Sequence, residues 1–280
     1  MAFRTILVPT EEHDLMSSTL ETALVLARKF DSYIEGFALR IAFPAAFAVA
    51  DVGAVAIPQL ERDIAENAQR SQSLFENFMQ QHGVARAGPA ATLSSRWLED
   101  APEGDRFVGS HGRLFDVIAL GRPGRDPRGP RMSTLEAALF ESGRPVLIAP
   151  ASPRPDMGTN VLIAWNCSTE QARTTAFAMP ILKRANRVIV LTVEGGAAVP
   201  GPTGEQLCRY LQLSGVPAKP LTVPLGGRLT GEAVLAHANA LGCDLVIKGA
   251  YTQSRLQQLI FGGTTRYILS NATLPVFMAH

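Results

Sequence analysis

Short, uninterrupted apolar segments recur along the chain, separated by longer segments in which apolar and polar residues alternate with a helical period. Seven of the apolar segments have the length of a strand: Thr5–Pro9, Asp116–Leu120, Pro145–Ala149, Asn160–Trp165, Arg187–Val193, Asp244–Gly249 and Pro275–Ala279. Continuous apolar runs of this kind are typical of strands that are buried on both faces of a parallel sheet. The pattern therefore predicts a parallel sheet that is covered on both sides.

Apolar residues three and four positions apart predict helices between these strands. The clearest examples are Leu20, Ala23, Leu24 and Ala27 in the first half, and Val234, Leu235, Ala238 and Leu241 in the second. Each set lines one face of a helix. Because strands alternate with helices, the chain is predicted to be an α/β protein with a doubly wound parallel sheet.

The two halves of the chain repeat the same order of features. Each half opens on an apolar strand followed by a polar turn and closes on a helix-like segment and a proline-led strand. The segment FDVIALG in the first half corresponds to CDLVIKG in the second. We infer a duplication, with one domain at residues 1–150 and another at residues 151–280. The prolines and small residues of Ala149–Thr159 suit the linker between them.

The balance of charge argues against some classes of partner. The 280 residues carry a formal net charge of +1, and 46% of them are hydrophobic. Such a chain has no overall positive field, so we do not expect it to bind nucleic acid or an anionic membrane through its net charge. The local exception is GRPGRDPRGPR, Gly121–Arg131, in which an arginine stands at every third position.

Cysteine usage and the N-terminus indicate a cellular compartment. Cys167, Cys208 and Cys243 lie far apart without CxxC spacing, and the first residues lack the pattern of a signal peptide. These features predict a reduced, cytoplasmic protein. The nearly uncharged segment Ile41–Ile57 is interrupted by proline, aspartate and glycine and is short for a membrane span, so we interpret it as an apolar loop.

A glycine-rich loop in the second half is the first candidate for binding chemistry. The strand that ends at Gly249 is followed by the pair Gly262 and Gly263 and then by Thr264 and Thr265, which begin the last predicted helix. Paired glycines at a helix start let backbone N–H groups approach an anion, and threonine hydroxyls can bind phosphate oxygens. The alternative is an ordinary helix cap without a ligand.

These segments together resemble the universal stress protein family in its tandem, two-domain form. The resemblance rests on VLIAWNCS at Val161–Ser168, DLVIKG at Asp244–Gly249, the glycine-rich loop of Gly249–Thr265 and the closing segment Arg266–His280. It implies two Rossmann-like domains of the adenine nucleotide α-hydrolase type, paired about a pseudo-twofold axis. It also implies a stress-response role and, in nucleotide-binding members, a site for ATP.

The resemblance assigns candidate nucleotide-binding residues residue by residue. Nucleotide-binding members have the motif G-x2-G-x9-G-(S/T). Its four defined positions fall on Gly249, Thr252, Gly262 and Gly263. Only Gly249 and Gly262 match in type. The complete set for the second half is Ala164, Trp165, Asn166, Val193, Gly249, Thr252, Gly262, Gly263, Thr264 and Thr265.

Two positions of that set carry specific expectations. The family's acidic residue after the first strand falls on Asn166, whose amide can hydrogen-bond a ribose or base but carries no charge. The backbone contacts to adenine fall near Val193. Trp165 either stacks on the base or fills space beneath the following helix.

The first half departs from the pattern in another way. Its candidate residues are Pro9, Thr10, Glu11, Gly121 and Gly124, and its later glycine is missing. The four arginines of the following loop, Arg122, Arg125, Arg128 and Arg131, lie where phosphates would sit. They either contact phosphate as charged forks or belong to a solvated loop.

Three functions follow from these observations. The first is a non-enzymatic stress-response protein that acts through conformation and protein partners; the second is an ATP-binding energy sensor with slow hydrolysis; the third is an adenylating enzyme. We predict no catalytic residues and no metal site, because Glu11–Asp14 suits a polar helix start better than four ligands. We expect the last strands, Pro145–Pro150 and Pro275–His280, to pair the two domains, and a homodimer is left open.

Overall fold

The computed structural model of the chain describes residues 2–40, 53–88, 92–124, 129–250 and 263–280. The strands of this part are β1 Thr5–Thr10, β2 Tyr33–Ala38, β3 Ala85–Arg86, β4 Ser94–Trp97, β5 Val117–Gly121, β6 Val146–Ala149, β7 Asn160–Ala164, β8 Arg187–Glu194, β9 Ala218–Pro224, β10 Leu245–Gly249 and β11 Val276–Ala279. The helices are α1 Met16–Phe30, α2 Gly53–Gln81, α3 Asp105–Gly112, α4 Met132–Glu141, α5 Thr169–Phe177, α6 Met179–Leu182, α7 Gly204–Leu213, α8 Thr230–Ala240 and α9 Gly263–Asn271. All seven predicted strands and both predicted helices are confirmed.

The strands form one eleven-stranded sheet with a repeated topology. The order is β3-β4-β2-β1-β5-β6-β11-β10-β7-β8-β9. The two halves have the same winding when each is read toward the centre of the sheet. The matching strands are β4-β2-β1-β5-β6 in the first half and β9-β8-β7-β10-β11 in the second, with β3 as an additional edge strand of the first half. Neighbours within each half are parallel, whereas β6 and β11 pair antiparallel, with Phe277 opposite Leu147. This confirms the doubly wound α/β fold and the expected pairing through the last strands.

Side chains of each strand alternate between the two faces of the sheet. In β7, Val161 and Ile163 belong to the apolar cluster under α1, α5 and α7, whereas Leu162 and Ala164 belong to the cluster under α4, α8 and α9. Both faces are therefore dry, which is why these strands appear in the sequence as unbroken apolar runs.

The strands that the sequence analysis missed are more polar and lie toward the outer edges. The second strand, β2, carries Glu35, and β9 carries Lys219 and two prolines. In β9, residues 219, 220 and 222 are exposed. The edge strand β9 needs less apolar surface, and in the buried β2, between β4 and β1, Glu35 and Gly36 interrupt the apolar run, so a search for buried runs detects neither strand.

An aspartate fixes the start of the first strand in each half. The carboxylate of Asp116 accepts hydrogen bonds from the backbone N–H groups of Arg4 and Thr5, at 2.7 and 3.1 Å. Asp244 accepts from the backbone of Gly158 at 2.7 Å and Asn160 at 2.9 Å. The acidic residues that suggested the duplication therefore have one structural role in both halves.

The two halves also meet in the core and along the connecting segment. Phe3 packs edge-on against Phe277, with ring centroids 5.7 Å apart. The ammonium of Lys29 in α1 donates to the carbonyl of Met157 at 2.7 Å and lies 3.5 Å from the Asp156 carboxylate. The segment predicted as a linker is therefore held against the first half. The domain boundary at residue 150 stays a prediction.

The apolar segment Ile41–Ile57 is only partly described. Residues 41–52 lie outside the described residues, and residues 53–57 form the beginning of α2, so the loop interpretation is wrong for that end. Among the described helices, no stretch combines the length and hydropathy that crossing a bilayer requires.

Candidate functional site

A small cleft lies at the carboxyl ends of the second-half strands. It is lined by Ala164, Trp165, Asn166, Leu191, Val193, Ala197, Ala198, Thr230, Val234, Lys248 and Thr264, and its volume is about 20 Å³. The ends of parallel strands are where ligands bind in open α/β sheets. Five of the predicted residues, Ala164, Trp165, Asn166, Val193 and Thr264, are brought together there. The space is that of about one water molecule, well below the roughly 300 Å³ of small-molecule pockets.

Asn166 is held in a tight turn at the rim of this cleft. Its side-chain oxygen accepts a hydrogen bond from the backbone N–H of Ser168 at 3.3 Å, and its carbonyl accepts from Val199 at 3.1 Å. Cys167 follows with a left-handed φ of 64°. Ser168 then caps α5 by accepting from the N–H of Gln171 at 3.1 Å. The turn thus keeps a neutral amide at the position where the resemblance places an acid.

Trp165 is a packing residue in this structure. Its side chain is 5% exposed and belongs to the apolar cluster on the opposite face of the sheet from Lys248 and Val193. The indole N–H donates to the carbonyl of Pro202 at 2.8 Å. These contacts favour the space-filling alternative over base stacking.

Val193 lies on the cleft with its carbonyl already engaged. It is 7% exposed, and its oxygen accepts from the N–H of Gly196 at 3.1 Å in the turn that follows β8. A second lone pair of that carbonyl is the acceptor that an adenine amino group would need.

Gly249 is required by helix packing. A Cβ at this position would lie 2.5 Å from the backbone nitrogen of Gln171 and 2.8 Å from the carbonyl carbon of Glu170. The buried side chain of Gln171 also accepts from the N–H of Gly249 at 2.7 Å. The first glycine of the predicted phosphate motif therefore has a structural reason of its own, which is to let α5 approach β10.

The N-terminus of α9 supplies the predicted hydroxyl groups. Gly263 is exposed, no atom of the described residues lies within 4 Å of where its Cβ would stand, and Thr264 reaches the cleft. Thr265 is buried and does not line it. Two further predicted residues, Thr252 and Gly262, lie outside the described residues.

The corresponding cleft of the first half is lined by Pro9, Glu11, His13, Leu39, Leu120, Gly121, Pro130, Arg131 and Thr134, also with about 20 Å³. Of the predicted residues, Pro9, Glu11 and Gly121 are brought together there. Thr10 is buried and bonds to the carbonyl of Val8, and Gly124 is exposed outside the cleft.

An ion-pair cluster occupies this first-half cleft. The guanidinium of Arg131 lies 3.2 Å from the Glu11 carboxylate and 3.0 Å from that of Asp105, which also accepts from the hydroxyl of Thr134 at 2.6 Å. Burial raises the pKa of Glu11 to about 7, against the opposing effect of Arg131. Asp105 is desolvated too, but its hydrogen bonds and Arg131 bring its pKa below the ordinary value. Arg131 is thus paired with two carboxylates inside the protein.

A second arginine of the loop is engaged elsewhere. The guanidinium of Arg122 donates to the carbonyl of Ala272, at the end of α9 in the other half. Arg125 and Arg128 lie outside the described residues. The two arginines that are described therefore hold parts of the protein together, and neither needs a phosphate.

Two residues of the Glu11–Asp14 cluster, which we interpret as a polar helix start, have local partners. His13 accepts from the backbone N–H of Leu15 at 3.1 Å, and burial lowers its pKa. Glu12 pairs with Arg70 of α2 at 2.7 Å. Within the described ranges, no group of three or more histidine, cysteine, aspartate or glutamate side chains has the arrangement of a metal site.

Sequence reasoning missed Lys248, Thr230 and Asp105. A single lysine inside the apolar run LVIKG was a visible signal, because a charged residue rarely occupies a strand that is buried on both faces. Nothing in the sequence pointed to Thr230 or Asp105, which reach the clefts from helices distant in the chain.

Comparisons with known proteins agree with this fold. Residues 217–280 match the model of the Universal stress protein family. The stress response protein NhaX of Bacillus subtilis (strain 168) is 32% identical over 47 residues, which is 17% of this chain and 28% of that relative's length. The chain thus spans well under half of that curated relative.

Solved structures extend the similarity to the whole chain. A universal stress protein from Archaeoglobus fulgidus DSM 4304 superposes with a TM-score of 0.70 at 15% identity, covering 98% of this chain and 97% of that one. A functionally unknown protein from Pseudomonas aeruginosa PAO1 gives a TM-score of 0.57 at 15% identity, covering 99% and 92%. A universal stress protein in complex with cAMP covers 44% of this chain at a TM-score of 0.35, which carries no weight for the ligand of this one. Residues 217–280 therefore match the Universal stress protein family model, and the chain shares the fold of the Archaeoglobus fulgidus universal stress protein along nearly its whole length.

Proposed function

We propose that this protein is a non-enzymatic regulator of the universal stress type whose second half binds an adenine nucleotide and whose first half does not. The observation that carries the proposal is the difference between the two helix N-termini at the strand ends. In the second half, α9 begins at the exposed Gly263, with Thr264 on the cleft. In the first half, the entry to α4 is occupied by Arg131 and its two carboxylates.

An open helix N-terminus suits phosphate. The first N–H groups of a helix have no partner within the helix, and the helix dipole adds positive potential there. The polar side chains on the cleft, from Asn166, Thr230 and Thr264, offer amide and hydroxyl groups that hold a ligand without transforming it. This composition supports binding rather than catalysis.

The remaining parts of the proposal concern ligand and setting. The proposed nucleotide is ATP, and the proposed units are residues 1–150 and 151–280. A reduced, cytoplasmic location is supported by the three free thiols, of which Cys208 and Cys243 are buried. Protein partners would read out the nucleotide state.

The experiment is to denature untagged, purified protein and identify any released adenine nucleotide by chromatography, alongside calorimetric titration of the emptied protein with ATP. The matched variants are Gly263→Asp and Gly263→Asn. Among the described residues, no atom lies within 4 Å of a Cβ at this position, so both proteins should fold. Only aspartate adds a negative charge at the helix N-terminus, so we expect it to weaken ATP binding by about tenfold or more and asparagine to change it far less.

The outcomes separate the functions. No nucleotide and no heat of binding would refute the proposal. Equal affinity in both variants would remove this helix terminus from the site. If wild type releases inorganic phosphate from ATP during incubation and Gly263→Asp does not, the function is that of an energy sensor that hydrolyses ATP and not that of a non-enzymatic regulator.

A further inference from the structure

Lys248 is a buried cation in an otherwise apolar strand. It is 5% exposed, and the residues on either side of it on the same face, Val246 and Ala250, belong to the apolar cluster under α8 and α9. The register of the sheet identifies its counterpart in the first half. Lys248 stands opposite Met278 of β11, and Leu120 stands opposite Ile148 of β6, in each case one residue before the terminal glycine. The first half thus has leucine where the second has a cation.

Among the described residues, the ammonium group of Lys248 has a single hydrogen-bond acceptor. It donates to the carbonyl of Gly249 at 2.5 Å, and no other acceptor for it occurs among the described residues. An ammonium has three N–H donors, and withdrawing a charge from water is costly unless partners replace the hydration. Such an arrangement is unfavourable for stability alone.

The same side chain lines the second-half cleft. It shares that cleft with Asn166, Thr230 and Thr264, and among the described lining residues it is the only ionisable group. The nearest acid with an electrostatic effect on it is Glu170, at the start of α5. A cation, an amide, two hydroxyls and a helix N-terminus therefore meet at one edge of the sheet.

We propose that Lys248 binds phosphate oxygens and supplies the counter-charge for them, so that the nucleotide binds without a divalent cation. This inference rests on the proposed function, because it assigns the chemistry of the same cleft. A carboxylate on the rim would favour a metal bridge to the phosphates, whereas the neutral Asn166 leaves the lysine as the positive charge of the site. The ammonium would then gain the acceptors that it lacks.

The protonation of Lys248 gives an independent readout. Burial lowers its pKa to about 8, with Glu170 opposing that effect. The other described groups that line the cleft from β7, β8, α8 and α9 do not titrate. A bound phosphate requires the ammonium form, so affinity should be constant below pH 8 and fall above it, by about tenfold between pH 7 and pH 9.

The test titrates the full chain with ATP in EDTA, and with inorganic pyrophosphate in parallel, for wild type, Lys248→Met and Leu120→Met. Methionine keeps the length of the lysine stem and removes the buried charge, so the variant should be at least as stable as wild type. We expect Lys248→Met to weaken both ligands by about 10- to 100-fold and to lose the decline between pH 7 and pH 9. Leu120→Met, the matched control in the first half, should leave binding unchanged.

Each result decides between the two proposals. If ATP binds Lys248→Met as tightly as it binds wild type, the role of Lys248 is overturned and the proposed function stands. The same conclusion holds if ATP binds wild type only in the presence of magnesium. Pyrophosphate binding that depends on Lys248 without any ATP binding supports the role of Lys248 and refutes the nucleotide. Binding of neither ligand to wild type overturns both. If Lys248→Met does not fold, the pH profile of wild type decides alone.

Discussion

The two clefts occupy the same place in a duplicated fold but place their charges differently. In the first half, a carboxylate follows the first strand, and Arg131 from the next loop pairs with it. In the second half, an amide follows the first strand, and the cation, Lys248, comes from inside the sheet. The first cleft pairs its cation with carboxylates, whereas among the described residues the cation of the second has one carbonyl as its acceptor, so the two halves share a frame and differ in chemistry.

This difference shows two ways of arranging charge at the strand ends of one fold. Charged groups are costly to bury unless they find partners. The first half provides partners for Arg131 from α3 and from the turn after β1, whereas the second half has the neutral Asn166 at the position that corresponds to Glu11. The predictions below test this contrast, beginning with the largest expected effect.

The first prediction concerns the glycines that end β5 and β10. Gly249→Ala should lower the free energy of unfolding by about 3 kcal/mol, because its Cβ meets the backbone of α5 at 2.5 Å and backbone cannot yield easily. Gly121→Ala should cost only about 1 kcal/mol, since its nearest contacts are the side chains of Pro130 and Thr19. Urea unfolding of both variants measures the two losses. Equal losses would show that the helices approach the two strands alike.

The second prediction concerns the buried acid of the first half. The folded-state pKa of Glu11 is about 7, above its ordinary 4.5, so the folded protein binds more protons than the unfolded chain between those values. Stability should therefore fall as pH rises from 4.5 to 7 and stay level above. Glu11→Gln removes this titration.

We expect Glu11→Gln to gain about 2 kcal/mol relative to wild type when the pH is raised from 5 to 8. Unfolding curves of both proteins at the two pH values give this difference, and titrations common to both cancel. Asn166→Asp is the reciprocal variant, because it places a carboxylate at the position of the second half that corresponds to Glu11. A constant difference for Glu11→Gln would mean that Arg131 keeps Glu11 ionised.

The smallest expected effect belongs to Trp165. Trp165→Phe loses the indole hydrogen bond to Pro202 and should cost about 1 kcal/mol of stability. Because the ring belongs to the apolar cluster on the face of the sheet opposite Val193, ATP affinity should change by less than twofold. Thermal unfolding and an ATP titration check the two statements, and a large loss of affinity would restore the base-stacking role.

Much of the fold follows from the sequence. Unbroken runs such as Asp244–Gly249 identify buried strands, and the spacing of Leu20, Ala23 and Leu24 identifies a helix, because periodicity and burial are local properties. The repeat of FDVIALG and CDLVIKG likewise indicated the duplication, since Asp116 and Asp244 each fix the start of a first strand. This reasoning did not detect β9, because an edge position relaxes the demand for apolar residues, or β2, because Glu35 and Gly36 interrupt its apolar run.

The candidate site depended on contacts that no local pattern contains. The sequence placed Asn166 after a strand and Thr264 at a helix start, and both positions hold. It did not show that Lys248 lines the same cleft or that Gly249 lacks a Cβ because the backbone of Gln171 lies against it. Nor did it show that Arg131 pairs with Asp105 of a different helix. By itself, the sequence determined the elements, their order and the family resemblance, because these arise from neighbouring residues. Only the tertiary structure decided which charges are neutralised and which remain available, because that depends on which distant segments the sheet brings together.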